Sequence, residues 1–489
     1  MSDVSAVDAL PTEVLSCIFS YVLPSEWQDN ACRLPRTEKP GYEFPFASSK
    51  AFPVPYVCRR WRRVVLSYTT LCPNLTLNFP SDRIDDGEQP VLNYLSLFND
   101  SPLSVVLPYV SEYGKFGLEE KWDAVLKAVL SCSPRWHRLS VTPNSIIRNC
   151  LLQPLSLPIL ETVDLVIGGD AICIGRFQAF MVAPRLRVVA LRKAPGSMKA
   201  VFSPFILQLP WSQIEELTLD DLELSHPLDV FEVCRSLQTC TFQRCYSALE
   251  HVDASEMVVV HDSLHTFRLV DCFNGVWERI SLLRLPALTC LDISVNCERQ
   301  ALPKHYMYRL LMLVQESDCR LQRFAFVPHH YSSFHDHTTG DLLLLLHAMP
   351  DLVHLKVDNL RSEELHALAA ALAQVDADGQ CSGEVFRHSL VPALRAMDVG
   401  GDVTHIDLPV FVGMVASRRT GARPNMPRDK SPPFADLTIN MTLPALLSEQ
   451  LRAFTENGLQ LFMDERSCVR KASRYAEDMK DDIMQYMAL

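Results

Sequence analysis

Apolar residues along the chain recur with two different periods. Near the start, Leu10, Val14, Ile18 and Val22 fall four apart. Leu15 and Phe19 widen that stripe, which predicts a short amphipathic helix. Pro11 suits its first turn, where a missing N–H costs nothing, and Glu13 sits well against the positive helix start. Pro35, Pro40, Pro45, Pro53 and Pro55 then bar one long helix from the stretch between about residues 24 and 55. After them, Val57, Trp61, Val64 and Val65 share one helical face, while Arg59, Arg60, Arg62 and Arg63 point elsewhere.

Beyond residue 100 the pattern changes to L-x-x-L-x-L-x-x-(N/C), with other apolar residues substituting for Leu. Fuller copies are Trp136, Leu139, Val141 and Asn144; Leu237, Cys240, Phe242 and Cys245; Leu264, Phe267, Leu269 and Cys272; and Leu288, Leu291, Ile293 and Asn296. Copies without the final Asn or Cys start at Leu160, Leu186, Ile214, Leu321, Leu352 and Leu394. They follow one another about every 23–28 residues early in the chain and about every 31–42 late. Between them run helical patterns: Trp122, Val125, Leu126 and Val129; Tyr306, Leu310, Leu313 and Val314; and Leu365, Leu368, Ala369 and Leu372.

Strand, turn and helix in repetition predict an α/β solenoid, each repeat burying its apolar side on the next. A doubly wound α/β domain is the alternative, since its buried strands also read as apolar runs. The strands are short and regularly introduced by Leu, and no glycine-rich turn follows the first, which favours the solenoid. Leu447, Leu451, Phe454, Leu459 and Leu461, then the charged Glu477–Asp482 stretch, predict helices capping the last repeat.

Two resemblances follow from these residues. Leu10-Pro11-Thr12-Glu13-Val14-Leu15, continuing to Ile18-Phe19, is similar to the first half of an F-box. Val57-Cys58-Arg59-Arg60-Trp61, with Leu71-Cys72-Pro73-Asn74-Leu75-Thr76-Leu77, is similar to its second half. The Pro-rich insertion and Cys72, where a tryptophan is usual, depart from that pattern; the layout resembles the F-box proteins of mushroom-forming fungi. The long remainder resembles a leucine-rich repeat, in which the Asn or Cys satisfies backbone groups at the turn after each strand. Three regions result: residues 1–80 F-box-like, 81–443 leucine-rich-repeat-like, and 444–489 a helical cap.

The F-box resemblance implies docking onto a Skp-type adaptor and, through it, a cullin–RING ubiquitin ligase. Leu10, Pro11, Val14, Leu15, Ile18 and Phe19 would then form the first contact helix, with Val57, Cys58 and Trp61 supporting or extending it. The repeats would hold a protein substrate. Packing of both helices on the rest of the chain is the alternative reading of the same residues.

Composition narrows the chemistry. Lys plus Arg is 46 against 58 for Asp plus Glu, a net charge of −12, which argues against a protein built to neutralise nucleic-acid phosphates. The Arg59–Arg63 cluster is then a solvated helix face, and Arg418, Arg419 and Arg423, in a Pro-containing loop, do not alter that. No apolar run, Leu342–Leu346 included, comes near the ~20 residues that a membrane helix needs. The start of the chain carries no basic and apolar leader pattern, so an intracellular protein with free thiols is expected.

No G-x-S-x-G, G-x-x-x-x-G-K-[ST], H-E-x-x-H or G-x-G-x-x-G motif occurs, so no catalytic residue, cofactor or metal is assigned. Gly168-Gly169-Asp170 and Gly400-Gly401-Asp402 read as turns after repeat strands. The segment Pro328–His337 holds four His and an Asp, in a spacing that matches no familiar metal motif, and reads as a polar surface loop. Cys234, Cys240 and Cys245 read as core thiols. The expectation is a non-catalytic substrate receptor, with a ligase-independent repeat scaffold as the alternative.

Overall fold

The computed structural model describes residues 10–22, 57–67, 75–76, 95, 102–107, 126–142, 147, 150–167, 177–194, 200–205, 207–247, 257–296, 306–329, 339–373, 390–400, 408–420, 436–440, 455 and 459–463. The Pro-rich insertion, most of the His-rich segment, Gly168-Gly169-Asp170 and nearly all of the C-terminal region lie outside them. The chain divides into two compact units, residues 1–225 with 233–237 and residues 226–232 with 238–489.

The first unit opens with helices α1 (Thr12–Val22) and α2 (Arg59–Ser67). Its sheet runs β1 (Leu75–Thr76), β2 (Leu103–Leu107), β3 (Trp136–Val141), β4 (Thr162–Ile167), β5 (Val188–Lys193) and then β7 (Glu216–Asp220). Every pairing among them is parallel and in chain order. The short strands β6 (Val201–Phe202) and β8 (Glu223–Leu224) form a parallel pair of their own.

The second unit repeats the plan. Its sheet runs β9 (Thr239–Gln243), β11 (Thr266–Val270), β13 (Cys290–Asn296), β14 (Arg323–His329), β15 (His354–Asp358), β16 (Ala396–Gly400), β17 (Asp436–Asn440) and β18 (Gln460–Met463). Again each pairing is parallel. β10 (Val259–Val260) pairs with β12 (Leu283–Arg284) at the side. Helices α3 (Asn274–Ile280), α4 (Tyr306–Ser317), α5 (Thr339–His347), α6 (Ser362–Ala373) and α7 (Leu408–Thr420) occupy the connections. Both units are therefore α/β, with parallel strands laid side by side in chain order.

All ten copies of the sequence pattern carry a strand. In nine of the ten copies the first apolar residue lies just before the strand, Trp136 being instead the first residue of β3, and in all ten the next two are buried. Leu186, Val189 and Leu191 are buried, as are Leu264, Phe267 and Leu269, and Leu352, Leu355 and Val357. Alternation puts the residues between them on the opposite face. Phe231, Phe242 and Phe267 add an edge-to-face cluster, with centroids 5.8–6.0 Å apart.

A backbone ladder joins repeat to repeat. The carbonyl just before a strand accepts two N–H groups from the start of the next strand, using both its lone pairs. Glu161 accepts from Arg187 and Val188, and Arg187 from Glu215 and Glu216. In the second unit Gln238 accepts from His265 and Thr266, His265 from Thr289 and Cys290, and Thr289 from Gln322 and Arg323. Gln322 then accepts from Val353 and His354, and Val353 from Arg395 and Ala396.

Strand ends repeat as well. Asp221, Arg244, Asp271 and Asn359 each follow a strand with φ between 51° and 57°, the left-handed conformation that turns the chain sharply. Cys272, just past one of these turns, donates its thiol to the carbonyl of Phe242 at 3.2 Å, and Cys245 donates to that of Gln243 at 3.4 Å. The thiols thus satisfy turn carbonyls, and Cys234, Cys240, Cys245 and Cys272 are all buried. Burial pushes Cys234 up to about 12, so it stays a neutral core thiol.

Three expectations are corrected. Gln460–Met463 is a strand paired with β17 rather than part of a capping helix; Leu459 and Leu461 alternate with period two, which suits a strand. Gly400 is the last residue of β16 and not a turn; a Cβ there would lie 2.6 Å from Oδ1 of Asp358, its register partner. Arg418 is not in a loop. It sits in the last turns of α7, buried, and donates to the carbonyls of Leu372 at 2.9 Å, Val391 at 2.8 Å and Leu390 at 2.5 Å.

The Arg418 clamp ties α7 to the end of α6 and to the turn before β16. Burial lowers Arg418 to about 10, so it stays charged at neutral pH. Arg418→Met keeps the stem but leaves three buried carbonyls without their donor. It is expected to destabilise the second unit by about 3 kcal/mol, read as a lower urea midpoint with an unchanged slope.

Candidate functional site

The sequence-predicted site residues fall on α1, α2 and the residues flanking them. Leu10 and Pro11 precede α1, whose first turn closes with the N–H of Leu15 donating to the carbonyl of Pro11 at 3.1 Å. Leu15 and Phe19 are each 1% exposed and face α2, where Val64 is equally buried and Trp61 half-buried. The Phe19 and Trp61 rings lie 5.0 Å apart at 53°. Cys58, immediately before α2, accepts the N–H of Trp61 on Sγ at 3.4 Å and so caps that helix. Arg60 donates a guanidinium N–H to the carbonyl of Leu10.

These contacts divide the nine residues by role. Leu15, Phe19 and Trp61 hold the two helices together, with Val64 beside them. Pro11, Val14 and Ile18 recur at helical spacing and are exposed, Val14 and Ile18 at 42% each. Val57 is 57% exposed and Cys58 is also exposed. Leu10 is half-buried. A helix of this length that spent its whole apolar surface on its neighbour would present no such face. Arg59 and Arg63 are exposed, as a solvated face requires, but Arg60 has the structural role that a solvated-face reading misses.

The outward face of the sheet in the second unit is the other candidate surface. Two of its register rows run across the strands from β9 to β17. One contains Thr241, Arg268, Asp292, Ala325, Lys356, Asp398 and Thr438; the other contains Thr239, Thr266, Cys290, Arg323, His354, Ala396 and Asp436. His354 Nε2 and Asp398 Oδ2 are 2.9 Å apart. In the first unit Arg192 meets Asp164 across β4 and β5 at 3.3 Å, and burial raises the Asp164 carboxyl. The face is polar, mixed in sign and cross-linked between strands.

Among the described residues no group of three His, Cys, Asp or Glu is placed to hold a metal ion. Nor, among them, is any helix long and apolar enough to cross a membrane. No protein-family model matches this chain, and no curated protein matches it.

Asp398 makes the sheet face pH-sensitive in a defined direction. Burial pushes its carboxyl up, but hydrogen bonds from His354 and Thr438, with the charges of His354 and Lys356, outweigh that and hold it below the ordinary value. A carboxyl held low in the folded chain stabilises above its unfolded-state pKa, near 4, and loses that contribution as pH falls through the lower folded-state value. Urea unfolding of Asp398→Asn should therefore lie below wild type between about pH 5 and 7. The gap should close as pH falls below about 4.

Proposed function

We propose that this chain is a non-catalytic substrate receptor of a Skp–cullin–F-box type ubiquitin ligase. The α1–α2 pair docks the Skp-type adaptor, and the repeat region, of leucine-rich-repeat type, holds the protein to be ubiquitinated. The observation that carries the reading is the division of α1 into a buried edge, Leu15 and Phe19, and an exposed apolar edge, Pro11, Val14 and Ile18. A contiguous apolar edge on so small a helical unit is suited to burial on a partner.

The reading needs no chemistry from this chain. Holding a target beside a charged ligase converts an encounter in solution into an intramolecular one, which raises the transfer rate through effective concentration. The parallel strands laid side by side in chain order support the repeat half of the reading, because such an array offers a long, polar and variable surface.

Co-purification with a Skp-type adaptor tests it. Val14→Glu with Ile18→Glu changes only exposed positions, so the helical signal should persist while adaptor capture falls by at least about tenfold. Phe19→Ala should instead open the helix pair, costing about 3 kcal/mol, and lose capture through misfolding. Capture unchanged in the exposed-face variant, or none by the folded wild type, overturns the assignment.

A further inference from the structure

On the sheet face of the second unit, among the described residues, two arginines share one carboxylate. Asp292 on β13 is met by Arg268 on β11, Nε to Oδ2 at 3.0 Å, and by Arg323 on β14, Nε to Oδ1 at 3.9 Å. One carboxylate thus faces two guanidinium groups. Among the other described ion pairs of the sheet faces each carboxylate meets one basic side chain: Asp164 has Arg192, with the Ser140 hydroxyl beside it, and Asp398 has His354, with Thr438 beside it. Lys356 is the register partner of Asp398, so those two charges offset each other.

Both arginines are about half exposed, 48% for Arg268 and 49% for Arg323. Each reaches Asp292 through Nε alone, and among the described residues no partner takes their terminal nitrogens. Cys290 lies in the register row of Arg323, and its thiol donates to Asp292 at 3.6 Å. Burial first, and the Asp292 charge second, push this thiol up to about 11, so it adds no charge at neutral pH. On the far side of Asp292 in its own row stands Ala325, buried between its register partners Asp292 and Lys356.

We infer that Arg268 and Arg323, held by Asp292, form a binding site for a carboxylate side chain on an acidic segment of a protein partner. Arg268, fixed through its Nε hydrogen bond, presents its terminal N–H groups in a planar fork that matches a carboxylate, and Arg323, within ion-pair range of the same Asp292, adds a second fork. Two forks around one carboxylate carry a single excess positive charge. A Glu or Asp neutralises that charge, whereas a phosphate carries up to twice as much. On a chain of net charge −12, a local positive spot also selects where an acidic segment can land. The inference uses the proposed function only in taking the occupant to be a protein.

Immobilised twelve-residue peptides with randomised neighbours and a central Glu, Gln or phosphoserine provide the probe, applied to the full chain. Wild type should retain the Glu peptides over the Gln peptides. Arg268→Gln with Arg323→Gln should reduce Glu retention by about tenfold with unfolding unchanged. Asp292→Asn, which adds a net charge, should shift preference towards phosphoserine. Equal retention of Glu and Gln, no retention at all, or Glu retention that survives the double substitution overturns the site. Stronger wild-type retention of phosphoserine than of Glu overturns the carboxylate assignment. Adaptor capture is read on Val14 and Ile18, so failure there leaves this result standing, and the reverse holds too.

Discussion

A parallel strand cannot close on its predecessor through a tight turn, so every repeat must carry its backbone hydrogen bonds across a long connection to the same place. Here that constraint is met at the residue just before β4, β5, β9, β11, β13, β14 and β15, whose carbonyl accepts two N–H groups from the next repeat. The offset between that carbonyl and the inward residues is constant, which fixes register. Val189 and Leu191 must then lie beside Val163 and Leu165, and Leu291 and Ile293 beside Phe267 and Leu269. A slip by one residue would turn each of these apolar pairs outward.

Because register is fixed, the outward face is fixed too, and its charges meet across strands in set rows. Arg192 with Asp164, His354 with Asp398, and Arg268 with Asp292 and Arg323 all arise from this alignment. Arg268 and Arg323 are half exposed, which makes their pairing with Asp292 worth little to stability. Their value lies in holding long side chains at known positions on a surface that a partner can read. The α1–α2 pair works differently: Phe19 on Trp61 and the Arg60 contact to Leu10 set two helices edge to edge and leave Val14 and Ile18 outside.

Strand positions were legible in the sequence because three inward residues at fixed spacing have no other use in a short repeat. Helices were legible where period and propensity agreed, as in α4 and the Ala-rich α6. α7 was not: Pro409, Gly413 and its Val residues lower helix propensity, and packing of α7 on α6 decides the outcome. Arg418 was invisible for the same reason, since its role depends on carbonyls at Leu372, Leu390 and Val391 that only the fold collects. At the candidate site the sequence names nine residues but not their division into inner and outer. Spacing places Leu15 beside Val14 without saying which one α2 covers. The pairing of Arg268 and Arg323 on Asp292 comes from three separate repeats, and no local motif marks it.

The claim on which the account rests is that the outer edge of α1 is a docking face while the sheet serves another partner. Hydrogen exchange of the full chain, with and without a purified Skp-type adaptor, addresses it directly. Slowed exchange confined to residues 10–22 and 57–67, with the strands of the second unit unchanged, is the expected result. Protection that falls on β11 to β16, or no protection anywhere at saturating adaptor, would contradict it.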